Sequence, residues 1–106
     1  MHPLTGKWKI TARTPMGEMQ LIADFKADEA RPAFTGSVFD ERTKKTYGVS
    51  NGVLNGNHIS YDMLIKFGLI PFNFHLEGEF FEDGSCKGVG KALKMEGSYE
   101  GYKLED

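Results

Sequence analysis

Cysteine is nearly absent from this chain. The single Cys86 cannot form an intrachain disulfide, so nothing in the sequence requires an oxidising compartment. Long apolar runs are absent too. No stretch approaches the roughly 20 apolar residues of a membrane-spanning helix, and the N-terminal MHPLTGKWKI lacks the apolar core of a signal peptide. Cytoplasmic location and no membrane partner are therefore expected. There is little excess charge of either sign. A formal charge of −2 and a pI near 5.9 give no basic footprint for nucleic acid. A sustained 3.6-residue apolar period is also missing, so no substantial helix is predicted beyond one short turn within 27–32.

What the chain has in quantity is glycine and aromatic side chains: 13 glycines and 12% Phe, Tyr and Trp among 106 residues. That suits many short strands and tight turns in one domain, 1–106. The stretch His58 to Phe80 organises the rest. Its first arm alternates Ile59, Tyr61, Met63, Ile65 and Phe67 on one face, and its second Phe72, Phe74, Leu76, Gly78 and Phe80. With a four-residue turn at Gly68 to Pro71, Ile65 meets Phe74, Met63 meets Leu76 and Tyr61 meets Gly78, each apolar residue facing an apolar partner or a glycine.

The N-terminal arm alternates Leu4, Gly6, Trp8, Ile10 and Ala12 against a basic face, then turns at Thr14-Pro15-Met16-Gly17. Pairing Arg13 with Glu18 sets Ile10 beside Leu21, Trp8 beside Ala23 and Lys7 beside Asp24. Residues 33–40 read as a third strand. Residues 46–54 read as a fourth, broken by Gly48 and Gly52 and bulged or strongly bent. Asn55-Gly56-Asn57 is a hairpin signal, and a three-residue loop there sets Val53 beside Ile59 and Val49 beside Met63. Asp83-Gly84 and Glu96-Gly97 mark the last turns, the former compatible with a two- or three-residue loop. The expected architecture is all-β: a single antiparallel up-and-down barrel of about eight strands, which buries one apolar face and removes exposed edges. Eight strands leave room for packed side chains or one small ligand.

On these residues the chain resembles the short bacterial lipocalin-like, or calycin-like, barrels. Gly6-Lys7-Trp8 resembles their Gly-x-Trp start, whose Trp plugs one end of the barrel. Gly97 to Leu104 resembles the last strand returning beside the first, with Lys103 nearest to the late Arg that packs across the Trp. Gly52 to Tyr61 is similar to a "G-x-V-x-G-x-x-I-S-F" cadence. The resemblance implies binding of small apolar molecules in a cavity smaller than a typical lipocalin's. It carries over no catalytic residue.

Candidate chemistry is sparse. Gly88-Val89-Gly90-Lys91 is not a phosphate loop, since Ser85 replaces the first glycine and Ala92 the Ser or Thr. His2, His58 and His75 have no metal-like spacing, so neither a metal nor a cofactor is expected. The four-residue turn also places Asp62 opposite Glu77 on the second face of the central hairpin. That pair becomes an acid–base candidate if enclosed and a wet outer wall if not. Trp8, Tyr47, Tyr61, Met63, Phe74 and Leu76 are the expected ligand contacts, with Tyr102 a further candidate for the lumen. Asp40 and Glu100 are candidates for a barrel mouth. Three functions remain open. One is binding of a small hydrophobic or aromatic metabolite. Another is a cofactor-independent lyase, isomerase or cyclase using Tyr61 with His75 or Glu77, if either points inward. The third is an interaction module without a cavity, docking through Phe39 and Phe81. A homodimer fits all three.

Overall fold

Alternation of apolar and polar residues runs through every arm of the sequence, and in the computed structural model it closes on itself. The structure describes residues 2–15, 17–67 and 69–104. Met16 and Gly68, which the sequence puts in two of the turns, lie outside the described residues, as does the side chain of Phe67. Eight strands follow in order: β1 (Gly6–Thr14), β2 (Gly17–Ala27), β3 (Ala33–Asp40), β4 (Thr46–Asn55), β5 (His58–Phe67), β6 (Ile70–Phe80), β7 (Ser85–Ala92) and β8 (Met95–Lys103). Each pairs antiparallel with the next, and β8 returns to β1 to close an up-and-down barrel. Among the described residues there is no helix, hence none long and apolar enough to cross a membrane. Residues 28–32 form bends fixed by Asp28, whose carboxylate accepts the Ala30 amide at 2.8 Å and Arg31 Nε at 3.2 Å.

The first hairpin has the register that its charges and apolar residues dictate: Arg13 opposite Glu18, Ile10 opposite Leu21, Trp8 opposite Ala23 and Lys7 opposite Asp24. The central hairpin departs from the expected register by two residues. Phe67 pairs with Ile70, so the loop is two residues long rather than the four of Gly68 to Pro71, and Met63 meets Phe74 while Tyr61 meets Leu76. A shift of two preserves which side chains share a face, so the apolar face stays inward. It changes the neighbours on the outer face: Asp62 now lies opposite His75, and Glu77 opposite Ser60.

The β4–β5 turn also has two residues, with Asn55 opposite His58 and Gly56 at φ 63°. Val53 therefore pairs with Ser60 rather than Ile59, and Leu54 takes the inward place beside Ile59. The β4 bulge then restores the face. Between Ser50 and Val53 the register slips, with Asn51 at φ 53°, a left-handed conformation that Asn tolerates. Below the bulge Val49 meets Met63 as alternation requires. In the β6–β7 connection Phe81 N–H donates to Ser85 O at 2.9 Å, which encloses three loop residues with Gly84 at φ 87°. The last turn falls at Leu93-Lys94, and Glu96-Gly97 lie inside β8 instead.

Alternate turns of an up-and-down barrel share an end. The end formed by 28–32, 56–57 and 81–84 holds the packed core. There Trp8 and Leu4 are the most buried large side chains, and Phe25, Phe34 and Tyr61 stack edge-on with ring centres 5.4–5.6 Å apart. The opposite end, formed by the β1–β2, β3–β4, β5–β6 and β7–β8 turns, is not filled.

Candidate functional site

The unfilled end opens into a cavity of about 320 Å³, roughly ten times the volume of a liquid water molecule. Its size is that of a site for one small molecule. Residues of one parity build the walls: Ile10 and Ala12 of β1, Leu21 of β2, Val38 of β3, Tyr47 of β4, and Tyr61, Met63 and Ile65 of β5, with Phe74 and Leu76 of β6 facing them. Thr14, Pro15, Arg42, Thr43 and Glu96 surround the mouth.

Polar groups inside are few. Tyr99 of β8 sits opposite Gly88 and Ala12, and its ring lies against Gly78 and Gly88. A Cβ on either glycine would collide with that ring or its hydroxyl, so two missing side chains make the space that Tyr99 fills. Among the described residues the Tyr99 hydroxyl is buried with no hydrogen-bond partner. The Tyr61 hydroxyl neighbours it and shifts it, but not in hydrogen-bonding geometry. Burial, then the neighbouring Tyr99, raises Tyr61 well above the usual phenol range, and burial raises Tyr99 likewise. Both phenols are neutral at any physiological pH. Cys86 adjoins them, its thiol pushed up to about 12 by burial alone, which makes it an inert small hydrophobe rather than a nucleophile.

Asp40 is buried and reaches the cavity. Its carboxylate accepts the backbone amides of Arg42 at 2.9 Å and Thr43 at 3.4 Å. A buried side chain so bonded holds the β3–β4 loop at the mouth. Glu100 does not approach the mouth lumen; it lies on the outer wall, 2.7 Å from Arg13 Nη1.

The expected contacts divide. Tyr47, Tyr61, Met63, Phe74 and Leu76 all line the cavity, and Trp8 does not. Trp8 closes the far end: its Nε1 donates to Leu4 O at 2.9 Å, and Lys103 Nζ stands 5.9 Å from the ring centre while donating to Pro3 O at 2.7 Å. Tyr102 points outward and is exposed.

His75 and Glu77 also point outward. Their side chains are about half exposed, and the barrel wall separates them from Tyr61, so the condition on which a Tyr61–His75–Glu77 acid–base set depends is not met. They belong instead to a surface ladder. His75 Nδ1 lies 2.7 Å from Asp62 Oδ1, His75 Nε2 3.5 Å from Glu77, and His58 Nε2 3.3 Å from Glu77. Asn51, the bulge residue, donates to Asp62 Oδ2 at 2.8 Å. That bond first, and His75 second, hold the Asp62 carboxyl below its ordinary range.

Phe39 and Phe81 lie at opposite ends of the barrel, each half-buried beneath a lysine, Lys44 at 5.9 Å and Lys87 at 5.7 Å from the ring centres. They do not share a surface patch. Tyr99 is the inward residue that sequence reasoning missed. Its signal was available: pairing Ile10 with Gly101 puts the odd-numbered residues of β8 inside, which selects Tyr99 over Tyr102. No protein-family model matches the chain, and no curated protein or solved structure matches it either.

Proposed function

We propose that the protein binds a small hydrophobic or aromatic molecule carrying one hydrogen-bonding group, held inside the barrel. The reading is carried by one observation: an apolar cavity, open at one end, with Tyr61 and Tyr99 among the residues of its wall. A neutral phenol in an apolar wall discriminates for a ligand carbonyl or hydroxyl, because an analogue lacking that group leaves the phenol unpaired. Met63 and Met19 let the walls adjust to ligand shape. The Gly6-Lys7-Trp8 start and Lys103 across Trp8 add a likeness to lipocalin-like barrels, which suggests the same class of ligand. A cytoplasmic setting suits the unpaired, buried Cys86.

Titration with an environment-sensitive apolar dye such as anilinonaphthalene sulfonate tests this. Saturable one-to-one binding is expected. Leu76→Trp, which fills the cavity, abolishes it, and Leu64→Ser on the outer wall leaves it unchanged. Dye binding that survives Leu76→Trp would place the dye on the surface and end the proposal.

A further inference from the structure

The mouth end carries a second feature that the cavity does not need. At its turn tips Leu69 at 96% and Leu93 at 89% are almost wholly exposed, and Ile70 is 61% exposed. The other exposed large apolar residues are Val53, Leu64, Val89 and Tyr102, on the outer faces of the strands. β4 pairs with β5 as far as Met63, and β7 pairs with β6 from His75 onward, so the turn tip at Leu69 and Ile70 lies beyond those pairings.

Charge differs between the two ends. Around the mouth stand Arg42, Lys44, Lys45, Lys66, Lys91 and Lys94. The acids there are largely engaged: Asp40 caps its loop, Glu41 pairs with Lys9 at 2.6 Å, and Glu96 approaches Lys91 at 4.0 Å. Glu18 lies 3.9 Å from Arg13. The turns at the packed end carry Asp28, Glu29, Glu82 and Asp83, with Arg31 paired to Asp28 and Lys26, Lys87 and Lys103 nearby. A chain of net charge −2 thus presents a basic rim with exposed leucines at its mouth and mixed charge at the packed end.

We infer that the mouth end docks on an anionic phospholipid bilayer surface, with Leu69, Ile70 and Leu93 entering the interface and the surrounding lysines and Arg42 facing the headgroups. Isolated convex apolar tips offer no groove or flat face for a folded partner, whereas a fluid interface accepts them without shape complementarity. Cations around apolar anchors are the arrangement by which peripheral segments hold to anionic leaflets. The sequence predicts no membrane partner because no stretch spans a bilayer; surface docking needs no span. The contact would set the cavity mouth against the source of an apolar ligand, but docking itself does not depend on what the cavity holds.

Co-sedimentation with phosphatidylcholine vesicles, with and without phosphatidylserine, tests the inference. Binding is expected only with phosphatidylserine and falls as salt rises. Each cation near such a surface strengthens binding about fivefold, so Lys66→Glu with Lys94→Glu weakens it by about 25-fold or more. Leu69→Ser with Leu93→Ser weakens it as well, and Lys26→Glu at the packed end does not. No binding to phosphatidylserine vesicles at low salt overturns the inference, as does an equal loss with Lys26→Glu. Self-association in sedimentation velocity that Leu69→Ser abolishes would put a second copy on these tips and overturn it too. Circular dichroism of each variant separates loss of fold from loss of binding.

Discussion

Replacing Tyr99 by Phe removes one oxygen from a site where that oxygen has no partner. Tyr99 is 6% exposed, and its ring is clamped over Gly78 and Gly88, so the ring of Phe occupies the same space without opening a cavity. A buried hydroxyl left unpaired costs about 1–3 kcal/mol, and Tyr61 does not relieve it geometrically. The variant is therefore expected to be more stable than the parent by about 1 kcal/mol or more. In a domain of this size that raises Tm by about 4–8 °C per kcal/mol, and the urea midpoint moves up with an unchanged slope. Stabilisation of an empty protein together with weaker binding of a hydroxyl- or carbonyl-bearing ligand is the signature of a polar group kept for recognition. A loss of 1 kcal/mol or more would refute the reasoning, since it would mean that Tyr99 accepts a working hydrogen bond from Tyr61. Tyr61→Phe and the double variant would then show a coupling energy that the orphaned reading forbids.

Gly88→Ala drives a methyl into the Tyr99 ring and the Glu77 carbonyl and should cost about 1–3 kcal/mol, the usual range for overpacking. Gly48→Ala, with nothing near its Cβ, should change stability by no more than about 0.5 kcal/mol; equal effects in urea unfolding would contradict the placement of Tyr99. With its pKa pushed up to about 12 and its side chain buried, Cys86 should resist a thiol reagent at pH 8 in the native protein and react at once in urea. Rapid native labelling would count against a closed wall at β7. The Asp62 carboxyl is held below its unfolded value of 3.8 by Asn51 and His75. Its contribution to stability is therefore present above about pH 4 and is lost as pH falls through the lower folded value. The stability gap between the parent and Asp62→Asn should be open at pH 7 and narrow by pH 3, and a gap independent of pH would remove Asp62 from the ladder's energetics.

The parity of side chains was far more legible in the sequence than their register. In β1 and β2 both were readable, because Arg13 with Glu18 and Lys7 with Asp24 add a charge pattern to the apolar one and leave one pairing in agreement with both. In the central hairpin the outer face offers two competing arrangements. A four-residue turn sets Asp62 against Glu77; a two-residue turn sets Asp62 against His75, a pair that attracts when the imidazole is protonated and hydrogen-bonds when it is not. The apolar face accepts either turn, since a shift of two moves large side chains past one another without exposing any, so only the outer face distinguishes them. Like carboxylates directly opposed are destabilising, and that repulsion favours the shorter turn. Because every register error here was even, or was absorbed by the β4 bulge at Asn51, inward residues such as Tyr47, Met63, Phe74 and Leu76 could be named without the correct partners. Contacts that depend on who stands opposite whom could not. The cavity wall is a property of parity, whereas the His75–Asp62 ladder and the clamp of Tyr99 over Gly78 and Gly88 are properties of register. Sequence reasoning about this barrel is therefore strongest where a ligand would touch hydrocarbon and weakest where it would meet a hydroxyl.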